Sequence, residues 1–479
     1  TAFESLAEGL PATPLRPSLS LLEILRLGLF QACLGCLAVI FAGLLNRVML
    51  TELGFSGLLV GTSLAFEQFV APSRVLFGQI SDSHPLARRH RVPYVLLGTA
   101  LFCGLAVIAV PLIFAVGRVF HQGSPGASAL AVVALGALFA CYGLAVSLAT
   151  TPYLALVIDR TREQERSRAV GVIWCMLTLG IVVGAILISF SLRSLDGIRD
   201  LRLLESTLSA FMTRVAIGVM GLTVIATWGM ELPVRTTGLS QAGGREDGVT
   251  LRQAWTLIRS SRQVLIFFSF LILFTLALFL QDPVLESYGA QVFGMPIAAT
   301  AQLNAFWGVG TLVGLLLAGL WIVPWLGKLA TARLGCQLIA LSLLLLLLSG
   351  ITASVPALQL VMVLFGLAAG IGTNGALCLM LDLTLPEVAG TFVGVWGLAQ
   401  ALSRALGKVI GGGLFDLGNG LSASGFLPRS VGSYPAYALV LGIELLVALA
   451  ALLMLQRVNV HQFRDDTGRS LAKVLTAEW

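Results

Sequence analysis

The sequence predicts an all-α polytopic membrane protein, with twelve transmembrane helices in two pseudo-symmetric six-helix bundles. Three observations predict it. The 479 residues are 57% hydrophobic and only 11% charged, with a mean hydropathy of +0.93. A soluble domain carries about 25% charged residues, so a bilayer must serve as solvent for much of this surface. Apolar stretches close to the ~20 residues that cross a bilayer recur along the whole chain. The basic residues concentrate in alternate loops.

In chain order the expected spans are 27–50, 57–80, 93–116, 127–149, 168–192, 207–230, 264–280, 296–322, 329–350, 356–380, 388–412 and 434–455. The first ends in Asn46 and Arg47. The second carries Glu67, Gln68 and Arg74, with Pro72 expected to kink it. The fifth, eighth and eleventh hold the small-residue pairs Gly180/Gly184, Gly310/Gly314 and Gly407/Gly411, a spacing that lets helices pack closely in lipid. The tenth holds Asn374 and ends at Asp382, the eleventh carries Arg404 and Lys408, and the twelfth carries Glu444. Asn304 adds an amide in the eighth.

Loop charge sets the orientation. With the N-terminus in the cytoplasm, 20 of the 30 Lys and Arg residues fall on the cytoplasmic side and seven on the other. Arg74, Arg404 and Lys408 lie within spans. This asymmetry places both termini inside. The longest polar break, 231–262, contains Gly243 and Gly244 and reads as a flexible linker. The chain then divides into an N-terminal segment (1–26, with an amphipathic stretch at 19–27), a six-helix bundle (27–230), the linker, a second bundle (263–457) and a tail (458–479). The polar, proline-bearing residues 1–20 show no cleavable leader, so the first span is expected to act as the targeting signal.

Several function classes lose support. The net charge of +6 is spread over short loops and reads as topology, not as a nucleic-acid surface. The seven cysteines fall in apolar stretches; Cys33 and Cys36 form a CxxC with no second ligand pair to close a metal site. No Ser-His-Asp, HExxH or paired-carboxylate arrangement is present, so no enzymatic step is expected. Gly370, Gly372 and Gly375 match GxGxxG inside a span, without the strand a dinucleotide fold needs. No GxxxxGK[ST] loop suggests ATP use. His84, His90, His121 and His461 all fall in loops or tails. A mid-membrane histidine relay or magnesium ligand is therefore not expected, which leaves Asn, Gln, Glu, a carbonyl or water for that task.

Each charge at the bilayer centre costs about 2.5–3.5 kcal/mol on insertion scales. Glu67, Gln68, Arg74, Asn304, Asn374, Arg404 and Lys408 are therefore candidates for a pigment or substrate cavity. Structural pairing between helices is the plainer explanation. The ends of spans one and seven repeat faintly: Asn46-Arg47-Val48-Met49-Leu50-Thr51-Glu52-Leu53-Gly54 aligns with Gln281-Asp282-Pro283-Val284-Leu285-Glu286-Ser287-Tyr288-Gly289. Arg47 and Asp282 occupy matching places and are expected to pair as a latch between halves, with Asn46, Glu52 and Glu286 beside them. Between spans two and three, Gly78-Gln79-Ile80-Ser81-Asp82 precedes Arg88, Arg89 and Arg91. It resembles the GxxxD…RR loop of the major facilitator superfamily, with an insertion at 83–87. That resemblance implies a cytoplasmic lock in which Asp82 accepts from a helix N-terminus or an arginine.

A narrower resemblance follows. Leu45-Asn46-Arg47-Val48-Met49-Leu50-Thr51-Glu52-Leu53-Gly54, Ala71-Pro72-Ser73-Arg74, Arg89-His90-Arg91-Val92-Pro93-Tyr94, the 281–289 block with Val292-Phe293-Gly294-Met295, and Gly394-Val395-Trp396-Gly397-Leu398-Ala399-Gln400 resemble the blocks of the PucC/LhaA-type family, a (bacterio)chlorophyll delivery branch of the major facilitator superfamily. Ser287 stands where that block often has proline. The resemblance implies chlorophyll or bacteriochlorophyll as bound pigment, with carotenoid as a further one. It implies light-harvesting or photosystem subunits as partners, with pigment-synthesis enzymes a further class, in a thylakoid or intracytoplasmic membrane. The competing expectations are a proton-coupled secondary transporter using Glu67 or Asp382, and a scaffold that carries no pigment.

Overall fold

The computed structural model describes residues 20–86, 88–123, 125–161, 163–193, 200–231, 262–382, 389–424 and 432–459. Nearly all of the expected linker, the first 19 residues and the tail beyond Asn459 lie outside them.

Helix α1 (Leu21–Val39) starts at a reciprocal cap: Ser20 accepts from the Glu23 amide and the Glu23 carboxylate accepts from that of Ser20. It continues through wider π-type turns at Ile40–Leu45 and Val48–Glu52. Gly54, at φ +66°, turns the chain in the left-handed region that glycine enters without penalty. The second span is broken into α2 (Gly57–Phe69) and α3 (Ser73–Ser83). Pro72 has no N–H to continue the ladder, and the chain crosses the break in tight turns. Helices α4 (Val92–Gln122), α5 (Pro125–Arg160), α6 (Glu163–Ser191) and α7 (Leu201–Thr227) complete the first half.

The second half comprises α8 (Arg262–Phe279), short α9 (Leu285–Phe293), α10 (Ile297–Leu317, prolonged by a π-type turn at Ala318–Ile322), α11 (Lys328–Thr352), α12 (Val355–Asp382), α13 (Ala389–Ala423) and α14 (Tyr434–Gln456). Helix thus occupies each of the twelve expected positions. Nine of the helices among the described residues are long and apolar enough to cross a bilayer unaided. The other three positions hold the broken second span, the seventh, whose apolar part is the short Leu265–Phe279, and the eleventh, which carries Arg404, Lys408 and Asp416.

Small residues set the helix spacing. A Cβ at Gly180 or Gly184 would come under 3.0 Å from the backbone of α1; the same holds for Gly310 and Gly314 against α12, and for Gly57, Gly61 and Gly412 between α2 and α13. Of the third expected pair, Gly411 abuts the Leu280 carbonyl, while Gly407 keeps ordinary contact distance. Leu130, Phe190, Ile217 and Trp325 on the outside are more than two-thirds exposed. Apolar surface so extensive has no aqueous counterpart; lipid covers it, and this is an integral membrane protein.

The two faces of the bundle can be told apart. Arg26 at the start of α1 donates to the Trp228 carbonyl just after α7, at 2.8 Å. The Asn459 amide beyond α14 donates to Gln263 at the start of α8, at 3.0 Å. The far end of α1 meets the far end of the seventh span. All four of those starts and ends therefore share one face, the terminal face. The opposite one is the distal face.

Candidate functional site

The polar residues at the end of α1 sit where the chain leaves the regular 3.6-residue helix, a distortion common at functional positions. There they cross to the second half. Asn46 Nδ2 donates to the Asp282 carbonyl at 3.1 Å, and Thr51 Oγ1 donates to Ser287 Oγ at 2.9 Å. Arg47, almost fully buried, donates to Thr300 Oγ1 and to the Met295 carbonyl, and lies 3.7 Å from Glu52. Buried Glu286 accepts from Asn304 Nδ2, and Gly43 makes room for it: a Cβ there would overlap the Glu286 carboxylate. Contacts join the two halves here, but the expected Arg47–Asp282 pair is not one of them, and Asp282 pairs within its own half. The Asp282 carboxylate faces Lys408 of α13 at 3.7 Å, while Arg47 reaches α10 and the turn before it. The two matching positions lie on different strands of the same seam, so their like placement in the repeat does not aim their side chains at each other.

Two more contacts close the distal side. Asp416 of α13 accepts from the Gly57 and Leu58 amides at 2.7 and 2.8 Å, capping α2 from the other half. Gln302 of α10 donates to Ser189 of α6 at 2.8 Å. Beside it a cleft of about 450 Å³ is lined by Phe190, Arg193, Pro296 and Phe306 among others. Asp416, Thr300, Thr51, Ser287, Ser189 and Gln302 carried no recognisable sequence signal, because each acts through a partner more than a hundred residues away. Glu444, buried in α14, accepts from the Leu280 and Gln281 amides, the second of them a backbone donor freed at the break after α8.

The cavity candidates divide into two groups. Lys408 is paired with Asp282, Asn304 with Glu286, and Asn374 donates to the Leu315 carbonyl at 3.3 Å; these three join helices. Glu67, Gln68, Arg74 and Arg404 have no hydrogen bond or ion pair among the described residues. They gather where the second span leaves the eleventh. Helix α2 packs on α13 with Gly57 against Gly412 and Gly61 against Lys408, an antiparallel register that puts Arg404 one turn further toward the terminal face, level with Ala65. After the break, α3 packs on α5. Pro72 thus separates Glu67 from Arg74, which sequence spacing placed on one helical face. Arg404 holds its guanidinium 4.6 Å from the centre of the Phe279 ring and lies in the fields of Glu67, Arg74 and Asp282. Trp396, Gln400, Arg404 and Lys408 follow each other at four-residue spacing, so they form one stripe along α13. That spacing is legible in the sequence once Arg404 and Lys408 are extended backward.

At the terminal face, the loop motif is arranged around a residue from outside it. The Glu231 carboxylate accepts from the His90, Arg91 and Val92 amides at 2.6 to 3.1 Å and caps α4. Arg91 pairs with Asp159 at 3.1 Å and donates to Ser81 at 2.8 Å, and Ser81 donates to the Gly78 carbonyl. The cap expected of Asp82 is supplied by Glu231; the Asp82 side chain itself lies outside what is described. Arg88 is exposed at φ +62°, in a turn that pairs Leu86 with Arg89.

Comparison with known proteins agrees with this architecture. The chain is 31% identical, over 86% of its length and 83% of the other's, to "Uncharacterized protein in puhA-bchM intergenic region" of Rhodobacter capsulatus. It is 30% identical, over 91% of its length and 95% of the other's, to "Bacteriochlorophyll synthase 44.5 kDa chain" of the same species. Among solved structures, it resembles a bacterial homologue of the human lysosomal transporter Spinster, inward-facing and unoccupied, with a TM-score of 0.65 at 15% identity, covering 95% of this chain and 99% of that one. That likeness shows a transporter-type fold of the major facilitator kind. Residues 44–463 match the family model described as PUCC protein, and the chain belongs to that family.

Proposed function

We propose that the protein binds a chlorophyll-type pigment between its two halves and passes it to light-harvesting or photosystem subunits, with no catalytic step of its own. The observation that carries this reading is the unpaired polar group of Glu67, Gln68, Arg74 and Arg404, flanked by Phe279 and Trp396, inside a lipid-embedded member of the PUCC family. The residues present fit such a pigment. A chlorin would need flat apolar surfaces and one oxygen or nitrogen donor for its magnesium. Trp396 and Phe279 offer ring faces. The side-chain amides of Gln68 and Gln400 make no hydrogen bond among the described residues, so either amide oxygen would hold the magnesium. His84, His90 and His121 lie at helix ends and in a loop. The pigment would supply light absorption; the chain would supply ring faces, polar groups and an exit toward lipid. A carotenoid would lie along the exposed apolar helix faces, pigment-synthesis enzymes would load the site, and the terminal face would be cytoplasmic in a photosynthetic membrane.

The test is purification in mild detergent from a pigmented host, followed by an absorption spectrum. Chlorin bands in stoichiometric amount, reduced in Gln68→Leu/Gln400→Leu, are the expected outcome. A proton-coupled transporter is the second reading, favoured by Glu67 as a mid-span carboxylate without an ion pair. A colourless protein with proton-dependent uptake that Glu67→Gln abolishes would establish it instead. Colourless, transport-inactive protein that still co-purifies with antenna subunits would point to a scaffold.

A further inference from the structure

We propose that the distal cleft between α6 and α10 is a binding site for an anionic phospholipid, with the phosphate at Arg193, the glycerol esters at Ser189 and Gln302, and an acyl chain along Ile186, Phe190 and Phe306. The inference does not depend on the pigment reading. The cleft, of about 450 Å³, lies where the two halves meet, and it holds its residues in an order that an amphiphile matches. Arg193 follows the last turn of α6 and Pro296 precedes α10, so both stand at the mouth. Ser189 and Gln302 lie further in and join the halves at 2.8 Å. Phe306 follows Pro296 along α10 and lies about 15 Å deeper, at 1.5 Å per residue. Ile186 and Phe190, one turn apart on α6, are 44% and 75% exposed, facing outward where lipid chains lie. Cation, hydrogen-bond donors and apolar wall thus follow each other from the membrane boundary inward, as phosphate, ester and chain do in a phospholipid.

Charge selects the headgroup. Arg193 is exposed, has no hydrogen bond or ion pair among the described residues, and shares the cleft with no carboxylate. Asp200, the next described acid along the chain, is engaged at the start of α7, where it accepts from the Arg202 amide at 2.9 Å. Asp196 and Arg199 lie outside the described residues and carry opposite charges. A net-anionic headgroup gains from the Arg193 cation, whereas the choline of a zwitterionic one brings a competing positive charge to the same place. Ser189 accepts from Gln302, so its own hydrogen is left to donate, and the Gln302 amide keeps a second N–H. Ester carbonyls, which only accept, suit both donors. Free phosphate would engage the mouth alone and leave the apolar wall uncovered, so the anion that fits the whole cleft is a lipid.

The experiment titrates the full chain in dodecyl maltoside with dioleoylphosphatidylglycerol or dioleoylphosphatidylcholine, which carry the same chains, and counts bound lipid by native mass spectrometry. The phosphatidylglycerol should bind about fivefold more tightly. Arg193→Gln should remove that preference. Arg202→Gln, which changes an exposed arginine at the start of α7 outside the cleft lining, should keep it. Ala299→Phe, which fills the cleft without altering its charge, should weaken binding of both lipids. Melting temperature and gel-filtration profile report whether each variant folds. Equal binding of the two lipids by the wild-type chain, an equal loss in Arg202→Gln, or full binding in Ala299→Phe overturns the inference. Displacement of the lipid by millimolar inorganic phosphate would mark a free-anion site and overturn it as well. The pigment reading is tested by absorption and stands or falls apart from these outcomes.

Discussion

Buried charged residues with described partners find them both within one half and across the seam, and the worth of each pair lies mainly in what its removal would expose. Lys408 is buried and faces Asp282 at 3.7 Å. Taking one partner away leaves the other without compensation, at a cost of about 3–5 kcal/mol, whereas removing both can be nearly neutral. Lys408→Met should therefore lower the melting temperature in detergent sharply, and Lys408→Met with Asp282→Asn should recover most of it. Additive losses in that cycle would mean that the two do not interact. Arg47 follows a different logic, because its donors go to a hydroxyl and a backbone carbonyl as well as to Glu52. Its importance was readable in the sequence from a buried charge near the end of a span. Its partners were not, since Thr300 and the Met295 carbonyl are unremarkable in composition and about 250 residues distant.

At the scale of elements, the second and eleventh spans decide where the molecule is sealed and where it opens. Toward the distal face, α2 and α13 touch backbone to backbone through Gly57 and Gly412, and Asp416 caps α2 across the gap. Toward the terminal face, the break at Pro72 turns α3 onto α5. Gly412→Val should wedge the two helices apart, because its first side-chain carbon would stand on the Gly57 carbonyl. Spin labels at exposed Leu58 and Leu417 should then report a longer distance than in the wild type; an unchanged distance would show that the neighbouring turns absorb the insertion. Gly310/Gly314 and Gly180/Gly184 were recognisable as packing pairs from spacing alone, since close approach in lipid favours small residues wherever the fold places them. The kink at Pro72 was legible too. Its consequence, that Glu67 and Arg74 end up on different helices, was not, because a proline marks a break without fixing the direction in which the chain leaves it.

For the whole molecule, the described contacts between halves at spans one, two, seven and eleven lie toward the distal face, and the polar group without partners among the described residues lies on the terminal side of them. The terminal side is therefore the one expected to be accessible. In a cysteine-free background, Gln400→Cys should react with a membrane-impermeant maleimide applied from the terminal face, while buried Ser287→Cys should stay unlabelled from either side. Labelling of Ser287→Cys from the distal side would show that the seal opens in the membrane. The twelve helical positions, the six-plus-six division and the family were all expected from the residues, and the structure and comparisons bear out the helical membrane fold and the family.

By itself the sequence determined that this chain lives in lipid, where its helices lie and which of its residues are too costly to be there by accident. Those properties are sums over local composition: apolar length, buried charge and small-residue spacing act on each segment independently of the rest. Only the tertiary structure decided which of the costly residues are partners and which are left over. Pairing depends on distances between separate segments, and so Lys408, Asn304 and Asn374 proved to be joints, while Arg404 has no hydrogen bond or ion pair among the described residues.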